Sequence, residues 1–277
     1  MKNTFRMSDL GLLTYYLGIE VEQRKDGITL CQSSYAHKLL ERSGMGKCRP
    51  NKTPMEEKLK LSKDSKAGKV DATSYQSIVG GLQYLVHTRP DLAFAIGYVS
   101  RFMAEPRKDH QIAVQHILRY VAGTINYGLV YPRRSGEKAH LIGYSDSDMG
   151  CDIDGRRSTS GMLFFWRVRD RLVEHEAKDC CPLYVRGGVR RGVWLRRLLW
   201  EVTREEPRAP VLRVDNNSAI ELAKNPVLHD RSKHIDIQFH YIRKCVAGWQ
   251  VILGHVHTAQ QLADLLTKPL GQRRQDR

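Results

Sequence analysis

The chain has 277 residues, and its 45 Lys and Arg outnumber 30 Asp and Glu for a formal charge of +15. It is long enough for one large or two modest domains, and no apolar run nears the roughly 20 residues that span a bilayer, so a soluble chain without a membrane partner is expected. The charge favours a polyanionic partner through phosphate contacts, although a merely basic, solvated surface explains it equally well until a motif decides. No apolar stretch follows Met1 as in a secretory signal. The cysteines Cys31, Cys48, Cys151, Cys180, Cys181 and Cys245 form no C-x-x-C pair, which argues against a zinc module or disulfide framework and for reduced thiols inside the cell.

In chain order, the loose alternation of Leu17, Ile19 and Val21, the turn pair Asp26-Gly27 and then Ile28-Thr29-Leu30 predict a β-hairpin. Ser33 or Ser34 is placed to cap a helix carrying Tyr35, Leu39 and Leu40 and stopped by Gly44. Residues Glu56 to Asp71 are lysine-rich with few apolar anchors and read as a solvated linker. Three helices follow, with apolar faces at Tyr75, Val79, Leu82 and Leu85, at Leu92, Ile96, Val99 and Met103 after Pro90, and at Ile112, Ile117, Leu118 and Val121 after Pro106. Strand-like runs then begin: Leu129 to Tyr131, His140 to Tyr144, Gly161 to Trp166 and Val211 to Val214. A boundary is expected near Arg133–Lys138. Helices are predicted over Asn217 to Lys224, along Ile235, Phe239, Ile242 and Val246, and from Thr258 to Lys268, with a strand from Trp249 to Val256.

Asp146 and Asp215 each close a predicted strand, and Asp264 lies in a predicted helix, so the three could converge at a sheet edge. Three carboxylates are what a hard cation such as Mg²⁺ needs, because it takes oxygen ligands and a pair of such ions clamps both oxygens of a phosphodiester displacement. From spacing alone, turn formers or surface charges are the competing reading. Asp146, Asp148, Asp152 and Asp154 lack the Gly and Glu of a calcium loop. His229, His234, His240, His255 and His257 have no zinc-module spacing, although His255 or His257 could assist proton handling.

The wording around the aspartates is more specific. Gly143-Tyr144-Ser145-Asp146-Ser147-Asp148, Arg156-Arg157-Ser158-Thr159-Ser160-Gly161, Val214-Asp215-Asn216-Asn217-Ser218-Ala219-Ile220, Ala223-Lys224-Asn225-Pro226, Ser232-Lys233-His234-Ile235-Asp236-Ile237 and Gln261-Leu262-Ala263-Asp264-Leu265-Leu266-Thr267-Lys268-Pro269-Leu270 follow one another in order. Together they resemble the RNase H domain of copia-type retroelements. The first half, through Asp9-Leu10-Gly11, Tyr16-Leu17-Gly18-Ile19-Glu20-Val21, Gly80-Gly81-Leu82-Gln83-Tyr84-Leu85 and Thr88-Arg89-Pro90-Asp91, resembles the end of the reverse transcriptase of the same polyprotein. The resemblance implies an α/β fold. An RNase H-like mixed sheet with flanking helices (133–277) would follow a β-hairpin and a mostly helical thumb/connection-like region (1–132), the hairpin holding the primer end. It also implies Asp146, Asp215 and Asp264 as catalytic Mg²⁺ ligands, an RNA–DNA hybrid or other nucleic acid as partner, no small-molecule substrate, and a place in the cytoplasm, in a retroelement particle, or in the nucleus. No Tyr-x-Asp-Asp is present, so polymerisation is not expected of this chain. Oligomeric state stays open.

One interval departs from the family. Where the resemblance calls for a helix opening on Cys-Glu-Ala-Glu-Tyr, Arg167 to Arg191 reads RVRDRLVEHEAKDCCPLYVRGGVRR, without clear period. Val185 to Arg190 can be encoded by GTG CGA GGC GGA GTA CGT, which one base later reads Cys-Glu-Ala-Glu-Tyr. Leu172 to Cys181 can likewise be encoded so that the next frame gives Ser-Trp-Ser-Met-Lys-Gln-Arg-Ile-Val-Ala, the family wording just before. A frameshift near Trp166, compensated near Arg191, would explain both and disrupt 166–192. The family's fourth carboxylate, the second Glu of that wording, would then fall across the codons of Gly188 and Val189. Glu174, Glu176 and Asp179 lie nearby in sequence, but nothing assigns them its role. The expectation is weak or absent hydrolysis and a sheet left partly uncovered, or else a non-catalytic remnant that binds nucleic acid or does nothing.

Overall fold

The computed structural model describes residues 11–133, 140–148, 150, 152–166, 170–177, 184–224 and 233–270. Asp9 and Leu10, Asn225 and Pro226, Ser232, Cys151, Asp179, Cys180, Cys181, His229 and most of the expected boundary at Arg133–Lys138 lie outside them.

The predicted hairpin is the centre of a four-stranded sheet, ordered β1 (Tyr15–Tyr16), β2 (Ile19–Gln23), β3 (Gly27–Cys31) and β4 (Gly128–Pro132), antiparallel throughout. Leu17 and Gly18 make the β1–β2 turn with φ of 46° and 79°, left-handed values of which glycine adopts its own without cost. The Tyr84 hydroxyl donates to the Leu17 carbonyl and docks that turn on the helices.

Helix α1 (Ser33–Arg42) begins one residue earlier than a serine cap requires. Gln32 is the N-cap and supplies no side-chain hydrogen bond; the Ser34 N–H instead donates to Glu20 Oε1 at 2.8 Å, reaching across from β2. That bond holds the Glu20 carboxyl below its ordinary range despite partial burial. Gly44, at φ 69°, closes the helix region as expected.

Helices α2 (Ala72–Leu85), α3 (Ala93–Ser100) and α4 (Lys108–Gly123) pack with α1 around Leu39, Leu82, Ile96, Val99, Ile117 and Leu118. A Cβ on Gly81 would lie 2.6 Å from Leu39 Cδ1, so the Gly80-Gly81 pair is what lets α1 seat on α2. The Thr88-Arg89-Pro90-Asp91 wording builds a buried clamp before α3. Arg89 pairs in a fork with Asp91 (Nε to Oδ1 2.9 Å, Nη2 to Oδ2 2.7 Å) and donates to the Thr124 carbonyl and hydroxyl, while Tyr120 donates to Asp91. Burial pulls the Arg89 guanidinium down, but Asp91 outweighs it and keeps the charge; burial pushes the Tyr120 phenol up, and Asp91 adds to that.

The expected linker, 56–71, has no regular element yet is not free in solvent. Leu61 is buried and its N–H donates to Tyr98 Oη, Ser62 O meets the buried His110 ring, and Asp154 of the second half accepts from Ser62 Oγ and Lys63 N. Leu61, with Leu59 packed against the same core, is enough to anchor a lysine-rich stretch, which composition conceals.

The second half is a five-stranded mixed sheet ordered β7-β6-β5-β8-β9: β5 (Leu141–Ser147), β6 (Thr159–Trp166) and β7 (Asp170–Ala177) are antiparallel, and β8 (Val211–Val214) and β9 (Ile252–His255) run parallel to β5. Helices α5 (Tyr184–Thr203), α6 (Asn217–Lys224) and α7 (Lys233–Ala247) flank it. This is an α/β arrangement of a mixed sheet with flanking helices, as the resemblance implies.

Two expectations are corrected here. The stretch read as lacking period carries β7 and α5, and Val185, Val189 and Val193 recur at four-residue spacing on the buried face of α5. The sheet is therefore covered. The helix expected over Thr258–Lys268 is instead two 3₁₀ turns, Thr258–Gln260 and Leu262–Leu266. Gln261 is extended between them (φ −73°, ψ 102°) because its side chain donates to Ser145 O on β5.

The halves share a small core of Ala93, Leu163, Phe165 and Leu266. Arg101, at the end of α3, donates to Thr159 Oγ1 (2.9 Å) and pairs with Asp152 (3.4 Å).

Candidate metal centre

β5 and β8 are parallel neighbours, so their C-terminal ends deliver Asp146 and Asp215 to one edge of the sheet. Asp264 arrives from the second 3₁₀ turn. One carboxylate oxygen from each lies within 4.8 Å of the others, and this is the group of potential ligands that the described residues bring together. Asp146 and Asp264 are buried and Asp215 is half-buried.

Backbone proximity makes the convergence possible. Gly161 of β6 stands opposite Asp146, and a Cβ there would lie 2.6 Å from Leu266 Cβ, 3.0 Å from Thr267 Cγ2 and 3.1 Å from Ala263 O. Its missing side chain lets the Asp264 turn lie directly on the sheet, where Gln261 ties it to Ser145 O at 3.0 Å. Gly161→Val is expected to cost about 2 kcal/mol by overpacking and to lift Asp264 away; urea unfolding and Mn²⁺ titration of the variant check both.

Two residues that the sequence reading quoted without assigning a role complete the cluster. The Thr267 hydroxyl donates to Asp146 Oδ2, and Lys268 Nζ lies 2.8 Å from Asp264 Oδ1 and 3.2 Å from Asp146 Oδ2. The spacing of a Lys four residues after Asp264 was the signal available in sequence. Burial drives the Asp264 carboxyl up, with Asp146 adding to the rise and Lys268 opposing it. Burial pulls the Lys268 ammonium down, but the Asp264 hydrogen bond and both carboxylates more than offset this and hold it above its usual value.

Helix α5 crosses the sheet beside this edge: a Cβ on Gly188 would meet Leu212 at 2.8 Å and Ser145 Cβ at 3.3 Å. Between Tyr184 and Trp200 it contains no Asp or Glu, and its one acid, Glu201, lies near the far end. Glu174 and Glu176 fall on β7, separated from β5 by β6. The remaining acids of the 148–154 loop have structural partners: Asp148 Oδ1 accepts from Thr159 N at 2.9 Å, Asp152 pairs with Arg101, and Asp154 holds the 56–71 loop. His255 and His257 are exposed, and His257 Nδ1 caps the first 3₁₀ turn by accepting from Ala259 N.

An all-oxygen set suits a hard cation. Mg²⁺ bonds of about 2.1 Å put neighbouring ligands about 3.0 Å apart and opposite ones about 4.2 Å, so oxygens spread over as much as 4.8 Å must draw together for all three to hold one such ion.

The family model described as "Reverse transcriptase (RNA-dependent DNA polymerase)" matches residues 1–57. The retrovirus-related Pol polyprotein from transposon RE1 of Arabidopsis thaliana is 37% identical over 278 aligned positions, covering 98% of this chain and 19% of that protein. The chain is a homologue of copia-type retrotransposon Pol polyproteins over nearly its whole length. The corresponding polyprotein from transposon TNT 1-94 of Nicotiana tabacum is 35% identical over 285 positions, 97% of this chain and 21% of the relative. The chain thus spans about a fifth of the length of these relatives, and its first 57 residues are the part that matches the reverse transcriptase family model. Among solved structures, LC11-RNase H1, isolated from compost by a metagenomic approach, is similar at a TM-score of 0.36 and 12% identity, over 46% of this chain and 92% of that one. No helix among the described residues is long and apolar enough to cross a membrane.

Proposed function

We propose that this Pol segment is the end of a reverse transcriptase joined to an RNase H-like domain whose ancestral reaction is hydrolysis of the RNA strand of an RNA–DNA hybrid, and that the reaction is weak or lost here. The observation that carries the reading is that Asp146, Asp215 and Asp264 converge beside a helix whose adjoining half bears no carboxylate. Mg²⁺ would supply Lewis acidity to the scissile phosphate and an activated water. Asp146, Asp215 and Asp264 would hold it, Gln261 and Gly161 would set where Asp264 stands, and the +15 surface would follow the phosphates. A two-ion clamp also needs a carboxylate shared between the ions, and losing a member of such a set costs orders of magnitude in rate. The segment would act inside the cell, in a retroelement particle or in the nucleus.

The second reading is a remnant that binds nucleic acid without cutting it, favoured by the five arginines between Tyr184 and Trp200, of which Arg186 falls where the family wording is acidic. A labelled RNA–DNA hybrid incubated with the chain and Mg²⁺ separates the two: cleavage at background, unchanged in Asp146→Asn, is expected. Cleavage abolished by Asp146→Asn would overturn the loss. For the binding reading, filter-binding affinity should fall linearly in log salt. The frameshift is tested independently by the gene, whose shifted frame across residues 166–192 should spell the family words.

A further inference from the structure

Lys268 follows Asp264 by four residues, and its backbone N–H donates to the Asp264 carbonyl at 3.0 Å, so its place relative to that aspartate is set by the chain itself. Its Nζ touches one oxygen of Asp264 and one of Asp146, 2.8 and 3.2 Å away. The neighbouring Thr267 hydroxyl takes the same Asp146 oxygen, so two consecutive side chains point into one cluster. A divalent cation bound by those two carboxylates would sit about 2.1 Å from each oxygen, in the space the ammonium fills, and would face a like charge at contact. The two cannot occupy the cluster together. The Lys268 side chain is nevertheless 38% exposed, against 5% for Asp146 and 2% for Asp264, so it has a route to solvent that the carboxylates lack.

We infer that Lys268 is the built-in counter-cation of the centre: it holds Asp146 and Asp264 together while no metal is bound, and it must swing outward for a divalent cation to enter. The inference rests on the reading of the three aspartates as a metal centre. It makes Lys268 a positioning residue whose removal has two opposite consequences. Without it, two buried carboxylates face each other without that ammonium's charge and the metal-free chain is less stable. Without it, an incoming cation no longer displaces a competitor and binds more tightly.

The test compares the full chain with Lys268→Met and Lys268→Arg, titrating Mn²⁺ by electron paramagnetic resonance and following thermal unfolding with and without Mn²⁺. Lys268→Met should bind Mn²⁺ about 10-fold more tightly than the parent, since one like charge at contact is removed. Its metal-free midpoint should be lower and its Mn²⁺-induced rise larger. Lys268→Arg, which keeps the charge, should bind no more tightly than the parent. Should Lys268→Met fail to fold, Lys268→Gln, which keeps a donor to Asp264, makes the same comparison. Parent and Lys268→Met binding Mn²⁺ equally overturns the exchange but leaves the metal centre standing. If no chain takes up Mn²⁺, the metal centre falls and the exchange falls with it.

Discussion

Replacing Arg89 by methionine is expected to destabilise the helical half by about 3 kcal/mol, at the lower end for breaking a buried ion pair. Arg89 has 4% of its side chain exposed and Asp91 20%, so both charges are largely withdrawn from water. The guanidinium satisfies four acceptors at once: both Asp91 oxygens, the Thr124 carbonyl and the Thr124 hydroxyl. Methionine fills similar volume but leaves the Asp91 charge to the Tyr120 hydroxyl, and it takes one of two donors from the Thr124 carbonyl, which keeps the Tyr127 N–H at 3.0 Å. The double variant Arg89→Met with Asp91→Leu should recover much of the loss, because removing both charges relieves the desolvation that a single change exposes. Urea unfolding followed by the helical signal measures each; a single-variant loss under about 1 kcal/mol would mean that water screens the pair as it does at a surface.

This clamp marks what a sequence discloses and what it hides. Thr88-Arg89-Pro90-Asp91 was visible as family wording, but nothing in its spacing said that the charges are buried, because the partners Tyr120 and Thr124 come from another helix. Helices with an uninterrupted apolar face, such as α2 and α4, were legible because burial imposes their period directly. The aspartates at the ends of β5 and β8 were legible for a similar reason, since strand ends in a parallel pair share an edge. Elements fixed by long-range polar contacts were not. The start of α1 takes its hydrogen bond from Glu20 on a neighbouring strand, so the serines beside it misled. The last helix divides because Gln261 bonds Ser145 O, 116 residues earlier in the chain. In α5 the period was present at Val185, Val189 and Val193 but was obscured by glycines and arginines on the intervening positions.

Exchanging residues 167–191 for the segment spelled by the other reading frame is expected to raise hydrolysis of an RNA–DNA hybrid by at least about 10²–10³-fold over the parent, the scale set by regaining one member of a catalytic set. Two changes act together in that exchange. The helix beside Asp146 regains a carboxylate, and it loses Arg186, Arg190 and Arg191, whose positive charge opposes loading of a cation nearby. A single Gly188→Glu should not suffice. Its Cβ would press on Leu212 at 2.8 and 3.0 Å and on Ser145 at 3.3 Å, against the sheet rather than in open space, so the new side chain costs packing before it contributes charge. The exchange replaces the neighbours of that Glu as well, so the helix and the sheet beneath it repack together rather than at one residue. The same exchange with that Glu replaced by Gln separates the carboxylate's contribution from that of a better-formed helix. A chimera that binds Mn²⁺ at the three aspartates yet cuts no faster than the parent would put the defect outside 167–191, and the frameshift would then be a mark of descent without chemical consequence.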